Sequence, residues 1–212
     1  MPDSIFKHSF KATLRENMGL SVYNCGYQKC EPLYSWGPAV RDHYLIHYIA
    51  SGSGRLHCGG HEYSLKEGDG FITAPLQMIY YQADAIEPWE YYWVGFNGAD
   101  ATRLINTAGL TDRQVFQIEK KDVILNALKK IYDSGGTRAV DDMRMTGYLY
   151  LFFSKLIGNL DEGNVGSANG YDYIQTALRY IEYNYSMDIS VNDISKSVGI
   201  SRSHLYRLFV KY

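Results

Sequence analysis

The sequence predicts a mainly β N-terminal domain, then a pair of helices, and then a small all-α segment. Between Asp42 and Phe96, short runs of β-branched and aromatic residues recur at a spacing of about 8–12 residues, with glycine-rich turns between them. This pattern is typical of a sandwich or a barrel. Apolar residues then follow a helical period from residue 121 to residue 157, and again from residue 171 onward.

Composition sets limits on the class of protein. The chain has 212 residues, of which 46% are hydrophobic and 21% are charged, so it is long enough for two small domains with real cores. Its net charge of −2 means that any surface for nucleic acid must be local. The N-terminus has no apolar run of the signal-peptide type and no segment is long enough to span a membrane, which predicts a cytoplasmic protein.

One predicted hairpin argues against a metal site. The pair Gly59-Gly60 separates two short strands and predicts a two-residue turn, which pairs Cys58 with His61 and His57 with Glu62. The two histidines then lie on opposite faces of the hairpin. A later histidine that would complete a metal site is absent from the next strands, and the three cysteines lack paired spacing. We therefore expect no metal and no other cofactor.

Two helices are predicted at residues 121–134 and 141–157, separated by Gly135-Gly136. They form a helical hairpin that covers one side of the β domain. Since their apolar surface exceeds what one side of a barrel needs, a homodimer contact is expected. The stripe on the first helix comprises Val123, Ile124, Ala127, Leu128, Ile131 and Tyr132.

The stretch GNLDEGNVGSANG has almost nothing to bury and predicts a linker. We therefore divide the chain into an N-terminal domain of residues 1–158, a linker of residues 159–170 and a C-terminal segment of residues 171–212.

The C-terminal segment contains the most specific motif of the chain. Ser190 with Asp193 predicts a capped helix start, and Gly199 provides the left-handed residue that the turn of a helix-turn-helix requires. Ser201 then caps a second helix. The inward-facing residues would be Ile194, Val198, Leu205 and Leu208.

Charge favours DNA binding over two ordinary packed helices. Four basic residues and no acidic ones lie from Lys196 to the end of the chain. Positive charge on the second helix suits phosphate contacts and base reading in a major groove of double-stranded DNA. Arg207 is the best candidate for a bidentate guanine contact. The predicted DNA-contacting residues are Ser201, Arg202, Ser203, Tyr206 and Arg207.

A sugar site is indicated by the last predicted strand of the β domain. Trp89, Tyr91 and Trp93 alternate there and share one face, on which aromatic rings can stack against a pyranose. Arg41 and His47 are the polar candidates beside them. The alternatives stay open: the three aromatic residues are equally consistent with plain barrel core, and Arg41 with a structural salt bridge.

Two parts of the chain resemble the AraC-type regulators. Residues 194–209 closely resemble the first of the two helix-turn-helix motifs of that family. The segments CGYQKCEP, GPAVRDHYLIHYIASGSG, LKEGDGFITAP and PWEYYWVGFNG resemble its sugar-binding domain, a cupin-like double-stranded β-helix barrel, in the branch tied to oligosaccharide metabolism.

That resemblance implies a sugar-responsive, DNA-binding regulator of a carbohydrate-utilisation operon. By the same resemblance, Tyr91, Trp93 and either Tyr80 or Tyr81 fall at sugar contacts, with Tyr81 preferred. The sequence ends inside the first motif, so a truncated chain is expected. The main alternative is a metal-dependent cupin enzyme acting on a sugar or a small organic substrate, and a pure dimerisation adaptor is a third reading. No catalytic residues are predicted.

Overall fold

A computed structural model describes residues 7–11, 19–162 and 170–211, which divide between two compact units, Met1–Gly163 and Asn164–Tyr212. The strands of the first unit are β1 (Lys7–Lys11), β2 (Ser21–Lys29), β3 (Ser35–Ala39), β4 (Tyr44–Ser51), β5 (Ser53–Cys58), β6 (His61–Lys66), β7 (Asp69–Thr73), β8 (Ile79–Ala83), β9 (Glu90–Asn97) and β10 (Val115–Gln117). Its helices are α1 (Ala101–Thr107), α2 (Lys121–Asp133) and α3 (Ala139–Glu162), and those of the second unit are α4 (Gly170–Asn184), α5 (Val191–Val198) and α6 (Arg202–Lys211). None of these helices is both long and apolar enough to cross a membrane.

The strands form two antiparallel sheets. Their orders are β1-β2-β9-β4-β7-β10 and β3-β8-β5-β6. Alternate residues of both sheets pack into a single core, because successive side chains of a strand point to opposite faces. This inner core includes Leu45, Ile49, Leu56, Phe71, Ile79, Tyr81, Trp89, Tyr91 and Trp93. The prediction of a mainly β N-terminal unit is confirmed.

The opposite face of the larger sheet packs against the helices. Ile46, Val94 and Phe96 join the buried residues of α2 and α3 in a second core. The Phe96 ring meets the Phe153 ring edge-on, with 5.1 Å between their centres. The predicted pair of helices is therefore present, and the bounds of α2 agree with the prediction to within one residue.

Helix α3 is longer than predicted and extends into the segment assigned to the linker. It ends at Glu162, whereas the prediction ended it at Ile157. Asn159 explains the difference, because its side chain is buried and its Oδ1 accepts the Lys120 backbone N–H at 3.1 Å. A polar residue that suggested a linker thus joins the start of α2 to α3. The rest of the predicted linker, residues 163–169, lies outside the described residues.

Strands β1, β2 and β3 precede the region where the sequence indicated a β domain. Strand β2 was missed because its inward positions are polar or small: Asn24, Gly26 and Gln28 stand opposite Gly95, Trp93 and Tyr91 of β9. A strand is usually recognised by apolar residues at its inward positions, and β2 has polar or small residues there instead.

The second unit consists of three helices. Ser190 and Asp193 form the predicted capping box at the start of α5, and Gly199 has the predicted left-handed conformation, with φ of 75°. In the turn, the Ile200 N–H donates to the Ser195 carbonyl oxygen at 3.1 Å. The buried residues include Ile174, Ala177, Ser195, Leu205 and Leu208, whereas Leu178 and Phe209 are exposed.

Candidate ligand-binding site

The inward face of the first unit brings together the predicted ligand residues of three strands. His47 on β4 stands opposite Trp93 on β9, and their ring centres are 6.4 Å apart. Tyr91 lies edge-on to the His47 ring at 5.1 Å and to the Tyr81 ring at 6.0 Å. Trp89, directly before β9, completes the group at 6.0 Å from both tyrosine rings. The candidate site is an aromatic cluster around one imidazole.

Register also decides between the two neighbouring tyrosines of β8. Tyr81 is buried at the centre of the cluster, whereas Tyr80 points to the outer face, where its ring lies 5.5 Å from that of His57. On that outer side the predicted pairing of Cys58 with His61 and of His57 with Glu62 is confirmed. The imidazoles of His57 and His61 therefore project from opposite faces of the hairpin.

The tyrosine hydroxyls of the cluster are linked to a glutamine that sequence reasoning missed. The Tyr91 hydroxyl donates to Gln28 Oε1 at 3.1 Å, and the Tyr81 hydroxyl lies 3.3 Å from that of Tyr91. Burial is the main cause that raises the pKa of both tyrosines. Both therefore act as neutral hydrogen-bonding groups. Gln28 gave no signal in the sequence because it is a polar residue on the buried face of β2.

Arg41 stacks on an aromatic ring, and no salt bridge to it is found among the described residues. Its guanidinium carbon is 4.2 Å from the centre of the Trp36 ring, and Trp36 in turn stacks on Tyr81 at 5.6 Å. A second cation, the Lys7 ammonium, stands 5.5 Å from the centre of the Trp93 ring. Both are cation–π contacts, which leave hydrogen-bond donors available for a ligand.

Several buried polar atoms of the first unit have no hydrogen-bond partner within the described part of the chain. They are Arg41 Nε, His47 Nδ1, Thr73 Oγ1 and Trp89 Nε1. Each such atom costs about 1–3 kcal/mol when it is left unsatisfied, so several in one core require an explanation. By alternation along β7, Thr73 lies on the same inward face as Phe71, whose ring stacks on His47 at 4.4 Å. Sequence reasoning missed Thr73 because a lone threonine in a strand carries no functional signal.

The aromatic residues of the cluster differ in their exposure to solvent. Trp89 has no exposed surface, and its ring packs so closely on Gly54 that an added Cβ there would lie 2.5 Å from it. Tyr91 is 2% exposed and Trp93 is 8% exposed. Trp93, together with the half-buried Trp36 and Arg41, therefore forms the accessible part of the cluster.

His47 is held in its neutral form. Burial, followed by the positive charges of Arg41 and Lys7, holds its pKa well below the ordinary value of 6.5. In the unfolded chain His47 binds a proton below about pH 6.5, whereas in the folded chain it does not. The unfolded state is therefore favoured progressively as the pH falls below that value.

We expect the free energy of unfolding to fall below pH 6.5, with His47 contributing a slope of up to about 1.4 kcal/mol per pH unit. Urea titrations between pH 7.5 and 5 measure that slope. His47→Leu should flatten it, and His61→Leu, at an exposed position, should leave it unchanged. Equal slopes in the two variants would show that His47 is not the group responsible.

In the second unit, the predicted DNA-contacting residues lie at the surface. Arg202, Ser203, Tyr206 and Arg207 are exposed on α6, whereas Leu205 and Leu208 of the same helix are buried. Ser201 has a defined local role, because its hydroxyl accepts the His204 backbone N–H at 3.2 Å and so caps the helix. One face of α6 is thus free to contact another molecule, and the other packs inside the unit.

The chain is similar in sequence to a known family of ligand-binding domains and to several operon regulators. Residues 21–162 match the family model of the AraC-like ligand binding domain. The chain is 32% identical over 199 residues to the Msm operon regulatory protein of Streptococcus mutans, covering 92% of this chain and 72% of the relative. It is 28% identical to the raffinose operon transcriptional regulatory protein RafR of Pediococcus pentosaceus, covering 94% of this chain and 74% of that protein. It is 30% identical to the lactose operon transcription activator of Staphylococcus xylosus, covering 90% and 70%.

Among solved structures, the AraC-like transcriptional activator CuxR is similar with a TM-score of 0.46 and 16% identity, over 91% of this chain and 70% of that one.

Proposed function

Because the chain belongs to the AraC family of transcription regulators, we propose that it controls a carbohydrate-utilisation operon, with a sugar as effector and double-stranded DNA as target. The relatives named above are operon regulators rather than enzymes, and we infer that this chain is not an enzyme either. A protein that acts on bacterial operons in this way works in the cytoplasm.

One observation carries the sugar proposal: unsatisfied buried polar atoms lie in the same inner core as aromatic rings. A sugar offers apolar C–H faces to rings such as Trp93 and Trp36, and hydroxyls that both donate and accept hydrogen bonds. Among the described residues, His47 Nδ1 and Arg41 Nε have no hydrogen-bond partner, and the hydroxyls of a sugar would supply one to each. The proposed ligand-binding residues are Arg41, His47, Tyr81, Trp89, Tyr91 and Trp93, with Thr73 added. Among them, Trp89 and Thr73 have no exposed surface, so both support the neighbouring residues of the site rather than touching the sugar.

We expect lactose, raffinose or a related galactose- or glucose-containing sugar to bind with a Kd in the micromolar to millimolar range, about −8 to −4 kcal/mol. Since Trp93 and the half-buried Trp36 belong to the accessible part of the cluster, the intrinsic fluorescence should change on titration. Trp93→Phe should remove the part of that change that Trp93 contributes, whereas His57→Leu on the outer face should keep the whole change.

Thermal-shift measurements on the same sugars provide an independent readout. An organic acid or a nucleotide that stabilises the protein, where every sugar fails, would contradict the sugar proposal. The regulator assignment would survive that outcome, because it does not depend on the ligand site.

For the second unit, we propose that α5 and α6 form a helix-turn-helix, with α6 entering the major groove. The proposal is supported by the capped start of α5, the left-handed Gly199 and the basic exposed face of α6. The proposed contacts to DNA are Ser201, Arg202, Ser203, Tyr206 and Arg207. We also propose that the boundary between the two domains lies within residues 163–169, whereas the sequence predicted a linker of residues 159–170.

We expect Arg207→Ala to cost about 1–3 kcal/mol of DNA-binding free energy at one base position, because a bidentate arginine–guanine contact is worth that amount. Duplexes selected by the chain from a randomised library provide the target. Binding is then measured by fluorescence anisotropy at several salt concentrations. Arg55→Ala, which removes an exposed arginine of the first unit, is the matched control. Equal losses on all sequences would make Arg207 a phosphate contact instead.

We further propose a homodimer through α3. Val140, Met143 and Leu151 are about half-exposed or more, and together with Gly147 they recur at helical spacing along one side of this helix. A Cβ added at Gly147 would have no atom of the described residues within 4 Å, so that position is open to a second helix. The sequence predicted more apolar helix surface than the β domain covers. We place this surface on α3, because most of the apolar stripe of α2 is buried in the core.

A further inference from the structure

A chain of hydrogen bonds connects the accessible tryptophan of the ligand site to a carboxylate. The Trp93 indole N–H donates to Asn24 Oδ1 at 3.1 Å. The amide nitrogen of Asn24 lies 3.3 Å from His43 Nε2, and His43 Nδ1 lies 2.7 Å from Asp42 Oδ1. Three side chains thus stand in series behind one indole ring.

For a neutral imidazole, the chemistry of the groups fixes the direction of every bond in this series. A carboxylate only accepts, so His43 donates through Nδ1 to Asp42, and a neutral imidazole then accepts at Nε2. Asn24 must therefore point its amide nitrogen toward His43 and its oxygen toward Trp93. An indole N–H is a donor only, so this orientation of Asn24 is the one that satisfies both neighbours.

The fold makes room for the series at one glycine. Asn24 stands opposite Gly95 in the sheet, and a Cβ added at Gly95 would lie 2.7 Å from Asn24 Oδ1 and 2.9 Å from His43 Nε2. Any larger residue would push the two groups apart. His43 is itself 2% exposed, and its ring stacks on that of Tyr23 at 4.0 Å. The imidazole is therefore held in place by packing as well as by hydrogen bonds.

We propose that Asn24, His43 and Asp42 are positioning residues that fix the Trp93 indole so that it offers the ligand its ring face and not its N–H. This rests on the proposed sugar-binding function of the site. The consequence is a specificity rule: Trp93 selects for an apolar sugar face, and the hydrogen bonds to sugar hydroxyls come from other residues of the site, such as Arg41. Without the series, the indole N–H becomes free and the ring loses its fixed orientation.

The test compares His43→Leu, which removes the acceptor for Asn24, with His43→Gln, whose side-chain oxygen supplies an acceptor in its place. The readouts are the indole N–H resonance of Trp93 in ¹H–¹⁵N spectra, assigned with Trp93→Phe, and titrations with lactose and raffinose. We expect His43→Leu to shift that resonance and to weaken sugar binding about five- to tenfold, as for the loss of one or two neutral hydrogen bonds. His43→Gln should restore most of both properties, and His57→Leu should change neither.

Two results would overturn the proposal. An unchanged Trp93 resonance in both His43→Leu and Asn24→Leu would show that the series does not hold the ring. A shifted resonance with unchanged sugar affinity would show that the orientation of the ring does not matter for binding. If the wild-type protein binds no galactose- or glucose-containing sugar, the proposed effector class fails instead, and the resonance still reports whether Asn24 and His43 position the indole.

Discussion

Tyr91→Ala lowers the free energy of unfolding of the first unit by about 3–5 kcal/mol, the range for removing a large aromatic side chain from a packed core. The reason is that Tyr91 is 2% exposed and lies edge-on to the rings of His47, Tyr81 and Trp89. Its removal leaves a cavity and deprives Gln28 Oε1 of its donor. Urea denaturation followed by near-ultraviolet circular dichroism measures the change.

The matched variant for this prediction is Tyr91→Phe, which keeps the ring and removes only the hydroxyl. It should cost about 1–3 kcal/mol, because Gln28 is then left buried without its partner. A Tyr91→Ala protein as stable as the wild type would show that the ring does not belong to a packed core. The expected instability also means that loss of sugar binding in Tyr91→Ala does not by itself identify a sugar contact. Trp93→Phe is the cleaner substitution for that purpose.

Two glutamate substitutions on neighbouring helices should have different effects, one on stability and the other on dimerisation. Leu128 is 2% exposed in the second core, so Leu128→Glu buries an unpaired carboxylate and should destabilise the first unit by about 3–5 kcal/mol or prevent its folding. Leu151 is 54% exposed on α3, so Leu151→Glu should leave the fold intact. If α3 forms the dimer contact, the same substitution places two like charges in it and separates the protomers.

Light scattering at micromolar concentration measures this second effect. The wild type should give roughly twice the chain mass of 24.2 kDa, and Leu151→Glu should give the mass of one chain. Circular dichroism should show an unchanged fold for Leu151→Glu and a lost or weakened one for Leu128→Glu. A wild-type protein that is strictly monomeric would contradict the proposed contact.

Features that depend on neighbouring residues were determined by the sequence. The pairing of Cys58 with His61 follows from a two-residue glycine turn, and the capping box and left-handed Gly199 follow from residues three to nine positions apart. In each case the interacting groups are close in the chain, so residue types and spacing specify the geometry. The alternation of Trp89, Tyr91 and Trp93 is of the same kind, since the pleat of one strand places them on one face.

Features that depend on distant residues were decided by the tertiary structure. Strand β2 is a strand because it pairs with β9, about 70 residues later. Its half-buried Asn24 and its buried Gln28 are stable there because partners on β9 satisfy them. The same long-range packing gives Arg41 an aromatic partner rather than an acid, and buries Trp89 completely. The sequence alone therefore determined the family, the order of the β domain, the helical pair and the C-terminal helices, and the shared face of Trp89, Tyr91 and Trp93. Which residues of that face are core, which are accessible and which hold others in place depends on contacts between strands that no local pattern encodes.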